Sequence, residues 1–218
     1  MITETGQMTA SPRTFSIQTL GCKVNQADSE AIAAELIARG LHPAPATEAA
    51  DVVVVNTCTV THLGDRSSRQ AISQARRAAP EATIVATGCY AQVAPQAVAA
   101  LPGVDVVVPN TAKAELANAI LPAHPTRPGM PLPVFPAAEN ADDRLLAEIL
   151  GKTRVQVKVQ DGCDNRCTYC IVPTARGASR SRALGDVVAF VQRKAAAGIQ
   201  EVVLTGIHLG DYHPTPET

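Results

Sequence analysis

Over residues 14–121, short apolar runs alternate with longer segments whose apolar positions return every three or four residues. Strands feeding crossover helices leave this pattern, and together they build a parallel sheet. Four strand–helix units follow from it. Residues 15–20 read as a strand and 26–39 as its helix. Residues 51–56, with four consecutive valines, read as a strand buried on both faces, followed by a helix at 65–79. A third strand at 83–87 leads to a helix at 95–101, and a fourth at 104–108 to a helix at 112–120. Gly40, Pro80 and Gly103 punctuate the ends.

The pattern then breaks. Six prolines fall within the fifteen residues 122–136, a composition that keeps backbone extended and bars helix or inner strand. A short amphipathic piece at 142–150 carries the chain onward, and 153–160 alternates apolar and polar like a half-buried strand. A helix at 184–197 and a strand at 201–205 follow. The chain therefore divides into an α/β domain at 1–121, a Pro-rich linker at 122–150 and a second α/β segment at 151–218. That segment has 68 residues (218 − 150), against the ~200 or more of a closed α/β barrel. It is expected to be an incomplete barrel with an unpaired sheet edge, marginal unless something covers it. The sequence reads as the front part of a longer enzyme.

Composition narrows this little. The chain is 46% hydrophobic, enough for a full core, and no apolar run approaches the ~18 residues of a membrane span. No membrane association and a cytoplasmic location are the expectations. A net charge of −1 gives no global basic field, and 3% aromatics with no Trp argue against a single-strand binder built on stacking platforms. The six cysteines, in a reducing compartment, point to metal or catalytic use before disulfides.

Three of them lie in Asp161-Gly162-Cys163-Asp164-Asn165-Arg166-Cys167-Thr168-Tyr169-Cys170, a CxxxCxxC triplet at the C-terminal end of the 153–160 strand, where α/β barrels build their sites. A structural zinc takes four protein ligands, whereas a four-iron cluster held by three cysteines keeps one iron open to a small molecule. A zinc loop or three unrelated thiols are the alternatives. The triplet resembles that of the radical S-adenosylmethionine (SAM) superfamily. The resemblance implies that the open iron is chelated by the methionine moiety of SAM, that an electron from the cluster splits the sulfonium to give a 5′-deoxyadenosyl radical, and that Tyr169 lies beside the adenine.

Cys22, Cys58 and Cys89 each come just after a strand, the first, second and third. Neighbouring strands lie ~4.8 Å apart, so three adjacent strand ends fall within about 10 Å of one another, close enough for short loops to converge on one cluster. Three structural thiols are the plain alternative. His62 is a further candidate that would turn the trio into a zinc site.

The surrounding residues, Thr19-Leu20-Gly21-Cys22-Lys23-Val24-Asn25-Gln26, Val55-Asn56-Thr57-Cys58-Thr59-Val60-Thr61 and Gly88-Cys89-Tyr90-Ala91-Gln92, resemble the methylthiotransferases. That family joins a three-cysteine domain to a radical SAM barrel and, usually, an RNA-binding β-domain. The resemblance implies two 4Fe-4S clusters, one on Cys22, Cys58 and Cys89 and one on Cys163, Cys167 and Cys170. It also implies SAM, an external electron donor and a sulfur source. Lys23-Val24-Asn25-Gln26 resembles the branch acting on N6-threonylcarbamoyladenosine next to the tRNA anticodon. There a methylthio group replaces the hydrogen at carbon 2, a C–H bond beyond acid–base chemistry. The tRNA would be held largely by C-terminal parts outside this chain, and the 218 residues alone are expected to be inactive. Sister branches acting on isopentenyladenosine in tRNA or on a ribosomal-protein aspartate stay open, as does a non-catalytic iron–sulfur-binding fragment.

Thr205 and Gly206 end the last strand, where the resemblance places backbone contacts to the SAM amino group; a simple turn glycine is the alternative. Arg176, Arg180 and Arg182 form a local basic cluster suited to a phosphate or the SAM carboxylate, or else a solvated face. Arg66, Arg69, Arg76 and Arg77 on the second helix carry the same two readings. His208 and Tyr212 have too little context for a role.

Overall fold

The computed structural model describes residues 14–45, 48–121 and 154–214. The Pro-rich stretch 122–136 and the amphipathic piece 142–150 lie outside them.

Four of the five strands of the first sheet coincide with the apolar runs: β1 (Thr14–Thr19), β3 (Val52–Thr57), β4 (Thr83–Gly88) and β5 (Val106–Pro109). The fifth, β2 (His42–Pro43), is too short to leave a sequence pattern. All pair in parallel in the order β2-β1-β3-β4-β5. The valines of β3 divide between faces as a strand buried on both sides demands. Val52 and Val54 pack with Phe15, Ile32, Leu36 and Leu116 on one face. Val53 and Val55 pack with Ile72, Ile84, Tyr90 and Val98 on the other. At about 1.5–3 kcal/mol for each buried side chain, this strand anchors both layers.

Helix starts differ from the expectation. The first helix, α1 (Lys23–Ala38), begins at Lys23 because extended Cys22 takes the N-cap position. The second, α2 (His62–Ala78), begins at His62 because Thr61 Oγ1 accepts from the Gly64 N–H, 3.0 Å away. Asp65 in its first turn and Arg76 and Arg77 in its last complement the helix dipole. After β4 the chain makes two short helices, α3 (Cys89–Val93) and α4 (Pro95–Ala99), the first of which the sequence pattern missed. The expected helix at 112–120 is a 3₁₀ turn, Asn110–Glu115, followed by α5 (Leu116–Ile120).

The second segment pairs β6 (Arg154–Lys158) in parallel with β9 (Glu201–Thr205), while β7 (Gln160–Asp161) runs antiparallel to β8 (Arg180–Ser181). Helices α6 (Val172–Arg176) and α7 (Leu184–Ala196) complete it. Its own fully buried apolar core is small: Val157, Val159 and Val187. The segment does not stand apart, because α1 packs on β6 and α3 on α6.

Candidate functional site

The sheet register brings the first three cysteines together. Thr19 pairs with Asn56 and Asn56 with Thr87, so β1, β3 and β4 end level. Thr57 and Gly88 are paired, and Cys58 and Cys89 are the next residue on each strand. In the order β2-β1-β3 the chain direction of winding reverses between β1 and β3, the point where parallel sheets open a crevice for ligands. Cys22 and Cys58 stand at that point.

Local structure makes room for the thiols. Gly21 has φ +89, and a Cβ there would lie 2.8 Å from Cys58 Sγ, so only glycine leaves the sulfur its place. Gly88 has φ 97 and ψ −163, a backbone region essentially closed to other residues, and a Cβ would sit 2.4 Å from the Thr57 carbonyl oxygen. Buried Ser68 on α2 grips Cys58 from both sides: its hydroxyl accepts from the Cys58 N–H (3.0 Å) and donates to the Cys58 carbonyl (2.8 Å). Cys22 is exposed, Cys58 half-buried and Cys89 buried, and all three are free thiols. Burial pushes the Cys89 thiol up, Arg176 and Lys113 pull it back, and charge on Cys58 or Cys22 adds to the push. The Cys89 sulfur therefore feels the other two.

The second trio shares one loop. The Cys163 N–H donates to the Gly177 carbonyl (3.1 Å), the Cys170 N–H to the Cys167 carbonyl (3.0 Å), and the Ser179 N–H to Asp164 Oδ1 (3.1 Å). Residues 164–169 are exposed throughout, Tyr169 at 90%. Among the described residues no group of three Cys, His, Asp or Glu side chains is placed to hold a metal ion directly. What fits a cluster at the first trio is the donor chemistry, the glycine-made space against Cys58, the nearby Arg176 and Lys113 charges, and a first turn of α1 with no side-chain cap for its N–H groups.

Two family models match the chain: "Uncharacterized protein family UPF0004" over residues 14–109 and "Radical SAM superfamily" over 157–217. Threonylcarbamoyladenosine tRNA methylthiotransferase MtaB of Aquifex aeolicus is 45% identical over 199 residues, 90% of this chain and 48% of the relative. The protein of that name from Bacillus subtilis is 40% identical over 204 residues, 91% of this chain and 44% of the relative. The chain belongs to the methylthiotransferase family of radical SAM proteins. Ribosomal protein uS12 methylthiotransferase RimO of Roseiflexus sp. (strain RS-1) is 34% identical over 219 residues, 91% of this chain and 46% of the relative. The chain spans about half the length of these curated relatives. No described helix is long and apolar enough to cross a membrane.

In this family member, a buried ion network joins the two cysteine-bearing parts. Arg176 is 1% exposed. Its guanidinium donates to Asp161 Oδ1 (2.9 Å), Asn25 Oδ1 (2.5 Å) and Asp28 Oδ2 (3.3 Å). Lys158 reaches Asp28 Oδ1 (2.5 Å) and Asp161 Oδ2 (3.1 Å), and Lys113 reaches Asp28 Oδ2 (2.9 Å). Burial alone would raise the pKa of Asp28, but Lys113, Lys158 and Arg176 overturn it and hold the carboxyl far below the usual carboxylate range. Burial likewise opposes the ionised forms of Asp161 and Arg176, and the opposite charges win at both.

The expected basic cluster is therefore corrected. Arg176 is neither a phosphate ligand nor solvated, Arg180 donates to the Arg176 carbonyl (2.9 Å), and buried Arg182 lies over the Phe190 ring, 4.9 Å from its centroid. On α2, Arg76 is likewise a structural clamp, donating to the carbonyls of Pro80 (2.6 Å), Ala82 (2.9 Å) and Gly103 (3.3 Å) and pairing with Asp105. His62 is the exposed first residue of α2, and exposed His208 lies 3.5 Å from Asn165 Nδ2. Tyr212 hydroxyl donates to the Arg182 carbonyl (2.9 Å).

Gln160 was missed from the sequence. It is 0% exposed, and every polar atom of its side chain is used. Its Nε2 donates to the Gly162 carbonyl (2.8 Å) and Ser179 Oγ (3.0 Å), and its Oε1 accepts from the Ile207 (2.9 Å) and His208 (2.8 Å) N–H groups. Gly206 lies against it; a Cβ there would be 3.0 Å from Gln160 Cβ. The Thr205 carbonyl accepts from the Val159 N–H (2.9 Å). One side chain thus ties the start of the CxxxCxxC loop to the Thr205-Gly206 turn. The alternation of 153–160 puts Gln160 on the polar face with Arg154, Gln156 and Lys158, so the pattern carries no signal for its burial.

Proposed function

We propose that this chain carries the cluster- and SAM-binding machinery of a tRNA methylthiotransferase acting at carbon 2 of N6-threonylcarbamoyladenosine. In this reading, 1–121 holds one 4Fe-4S cluster through Cys22, Cys58 and Cys89. Residues 151–218, beyond the linker at 122–150, hold the other through Cys163, Cys167 and Cys170. SAM lies by Tyr169, Thr205 and Gly206. The observation that supports it is the level ending of β1, β3 and β4, which brings the chain just before Cys22, Cys58 and Cys89 to one edge of the sheet, beside the docked CxxxCxxC segment. When bound, the clusters and SAM supply the radical and sulfur chemistry that the C–H bond requires.

The chain's own residues orient and shelter. Gly21 leaves space at Cys58, Ser68 fixes that cysteine's backbone, Lys113 and Arg176 present positive charge to Cys89, and Gln160 holds the two segments around the SAM position together. Substrate tRNA, an electron donor and a sulfur source come from outside, in the cytoplasm.

The threonylcarbamoyladenosine reading is supported by the relatives of that name at 45% and 40% identity. A second reading, a ribosomal-protein aspartate, is favoured by the relative named for uS12 at 34%. Mass spectrometry of tRNA nucleosides and of uS12 from a strain lacking the gene separates them: loss of the methylthio mark on threonylcarbamoyladenosine alone supports the first, and loss from uS12 alone refutes it. Iron counting after anaerobic reconstitution tests the site. About eight irons per chain are expected, and a Cys22→Ala, Cys58→Ala, Cys89→Ala variant should hold half. Cleavage of SAM by the reconstituted chain would rule out a merely cluster-binding fragment.

A further inference from the structure

Arg176 occupies a place that cluster ligation does not explain. It lies six residues after Cys170, yet two of its three hydrogen-bond partners, Asn25 and Asp28, are on α1, three and six residues after Cys22. The third, Asp161, is two residues before Cys163 and also bonds the Gly162 N–H through Oδ1 (2.9 Å). Asn25 in turn donates to the carbonyls of Leu20 (2.8 Å) and Thr57 (3.0 Å), the residues that lead into Gly21-Cys22 and into Cys58. A rigid, planar guanidinium is thus bonded to the backbone supports of all but one of the sheet-end cysteines and to the entry of the CxxxCxxC loop. The remaining cysteine, Cys89, feels the Arg176 charge directly.

We propose that Arg176 is a positioning residue that sets the two cysteine trios in fixed register. It transmits the placement of the CxxxCxxC loop to the Cys22 and Cys58 loops through Asn25, Asp28 and Asp161. The proposal rests on the reading above that both trios hold clusters, but its mechanical part does not require them. An apolar seam would permit the two segments to slide, whereas a fork of N–H donors with three fixed acceptors admits one arrangement. Lys158 and Lys113 bring charge to Asp28, but each is a single ammonium on a flexible stem, without a planar fork. Positive charge alone therefore does not replace the guanidinium.

The test uses the full chain carrying Arg176→Met, with Arg176→Lys as the conservative variant. In the metal-free protein, Arg176→Met should speed hydrogen exchange at least tenfold at both 23–29 and 161–163, and Arg176→Lys should restore part of the protection. After anaerobic loading with iron and sulfide, the magnetic interaction between the two reduced clusters in electron paramagnetic resonance spectra, compared at equal iron per chain, should weaken in Arg176→Met. Unchanged exchange at both segments, faster exchange at only one, or an undiminished interaction between the clusters would overturn the proposal. Should the wild-type chain load iron at one trio only, the functional reading fails and the exchange experiment alone decides Arg176. If Arg176→Met does not fold, Asp28→Asn, which removes one α1 acceptor and keeps the guanidinium, is read by the same measurements, and the same results support or overturn the proposal.

Discussion

Replacing Gln160 by leucine keeps the volume of the side chain and removes its donor and acceptor. Four good hydrogen bonds disappear, to Gly162, Ser179, Ile207 and His208, at 2.8–3.0 Å. A net contribution near 1 kcal/mol each sums to about 4 kcal/mol. Water can reach the exposed His208 side and recover part of this, so a loss of about 2–3 kcal/mol is expected. Gln160→Glu separates the two halves. Its carboxylate still accepts from Ile207 and His208, but it faces the Gly162 carbonyl where the amide donated, so the turn after β9 stays tied while the cysteine loop is released. Denaturant unfolding measures the first effect, and hydrogen exchange at Ile207 and His208 the second: fast in Gln160→Leu, near wild type in Gln160→Glu. In the iron-loaded chain, SAM affinity by equilibrium dialysis should fall in both variants. A Gln160→Leu chain with unfolding free energy within about 0.5 kcal/mol of wild type and unaltered exchange at 207 and 208 refutes the reasoning.

Gly21→Ala combines about 1–3 kcal/mol of backbone strain with a Cβ placed 2.8 Å from Cys58 Sγ, so iron at the first trio should be lost. Gly40→Ala, with φ +87 but open space around it, should lose similar stability and keep its iron, as iron analysis beside thermal unfolding will show. Asp28→Asn leaves Lys113, Lys158 and Arg176 facing one carboxylate fewer and should cost about 3–5 kcal/mol at neutral pH. Because the folded pKa of Asp28 is depressed, its stabilisation is present above the unfolded value near pH 4 and drains away as pH falls. The Asn variant's unfolding free energy should therefore vary less below that pH. Arg76→Met breaks a clamp on the β4–β5 side and should lower stability by about 1–3 kcal/mol while leaving iron content unchanged.

Four of the five strands of the first sheet are legible because a buried parallel strand is apolar on both faces, and the valines of β3 have no other use; two-residue β2 leaves no pattern. Cysteine placement was legible for the same reason: each follows a strand whose end the pattern marks. Helix starts were less so. His62, Leu63 and Gly64 look like loop, and only the Thr61 cap shows that the helix has begun. The charged residues misled most. Arg176 carries no mark of burial in its neighbourhood, and its partners Asn25 and Asp28 lie 151 and 148 residues away in the chain. Charge clusters read along the sequence report neighbours in the chain, whereas the energy of a buried guanidinium is decided by neighbours in space.

That distinction bears on how the second segment is held. Among the described residues its own apolar cluster has three buried members, Val157, Val159 and Val187, and Val155 and Ala175 are buried besides, too few to order 154–214 by burial alone. Its attachment to α1 is polar at the centre, through Lys158 and Arg176 onto Asp28. A buried salt bridge adds little net stability over an apolar contact, since desolvation consumes most of the Coulombic gain, but breaking one partner from the other is severe. Such a seam resists displacement more than it stabilises the fold. Resistance to displacement is what the proposed function asks of the two cysteine loops, because the clamp lies only two residues from Cys163 and three from Cys22, where any slip would be carried directly to the sulfur atoms.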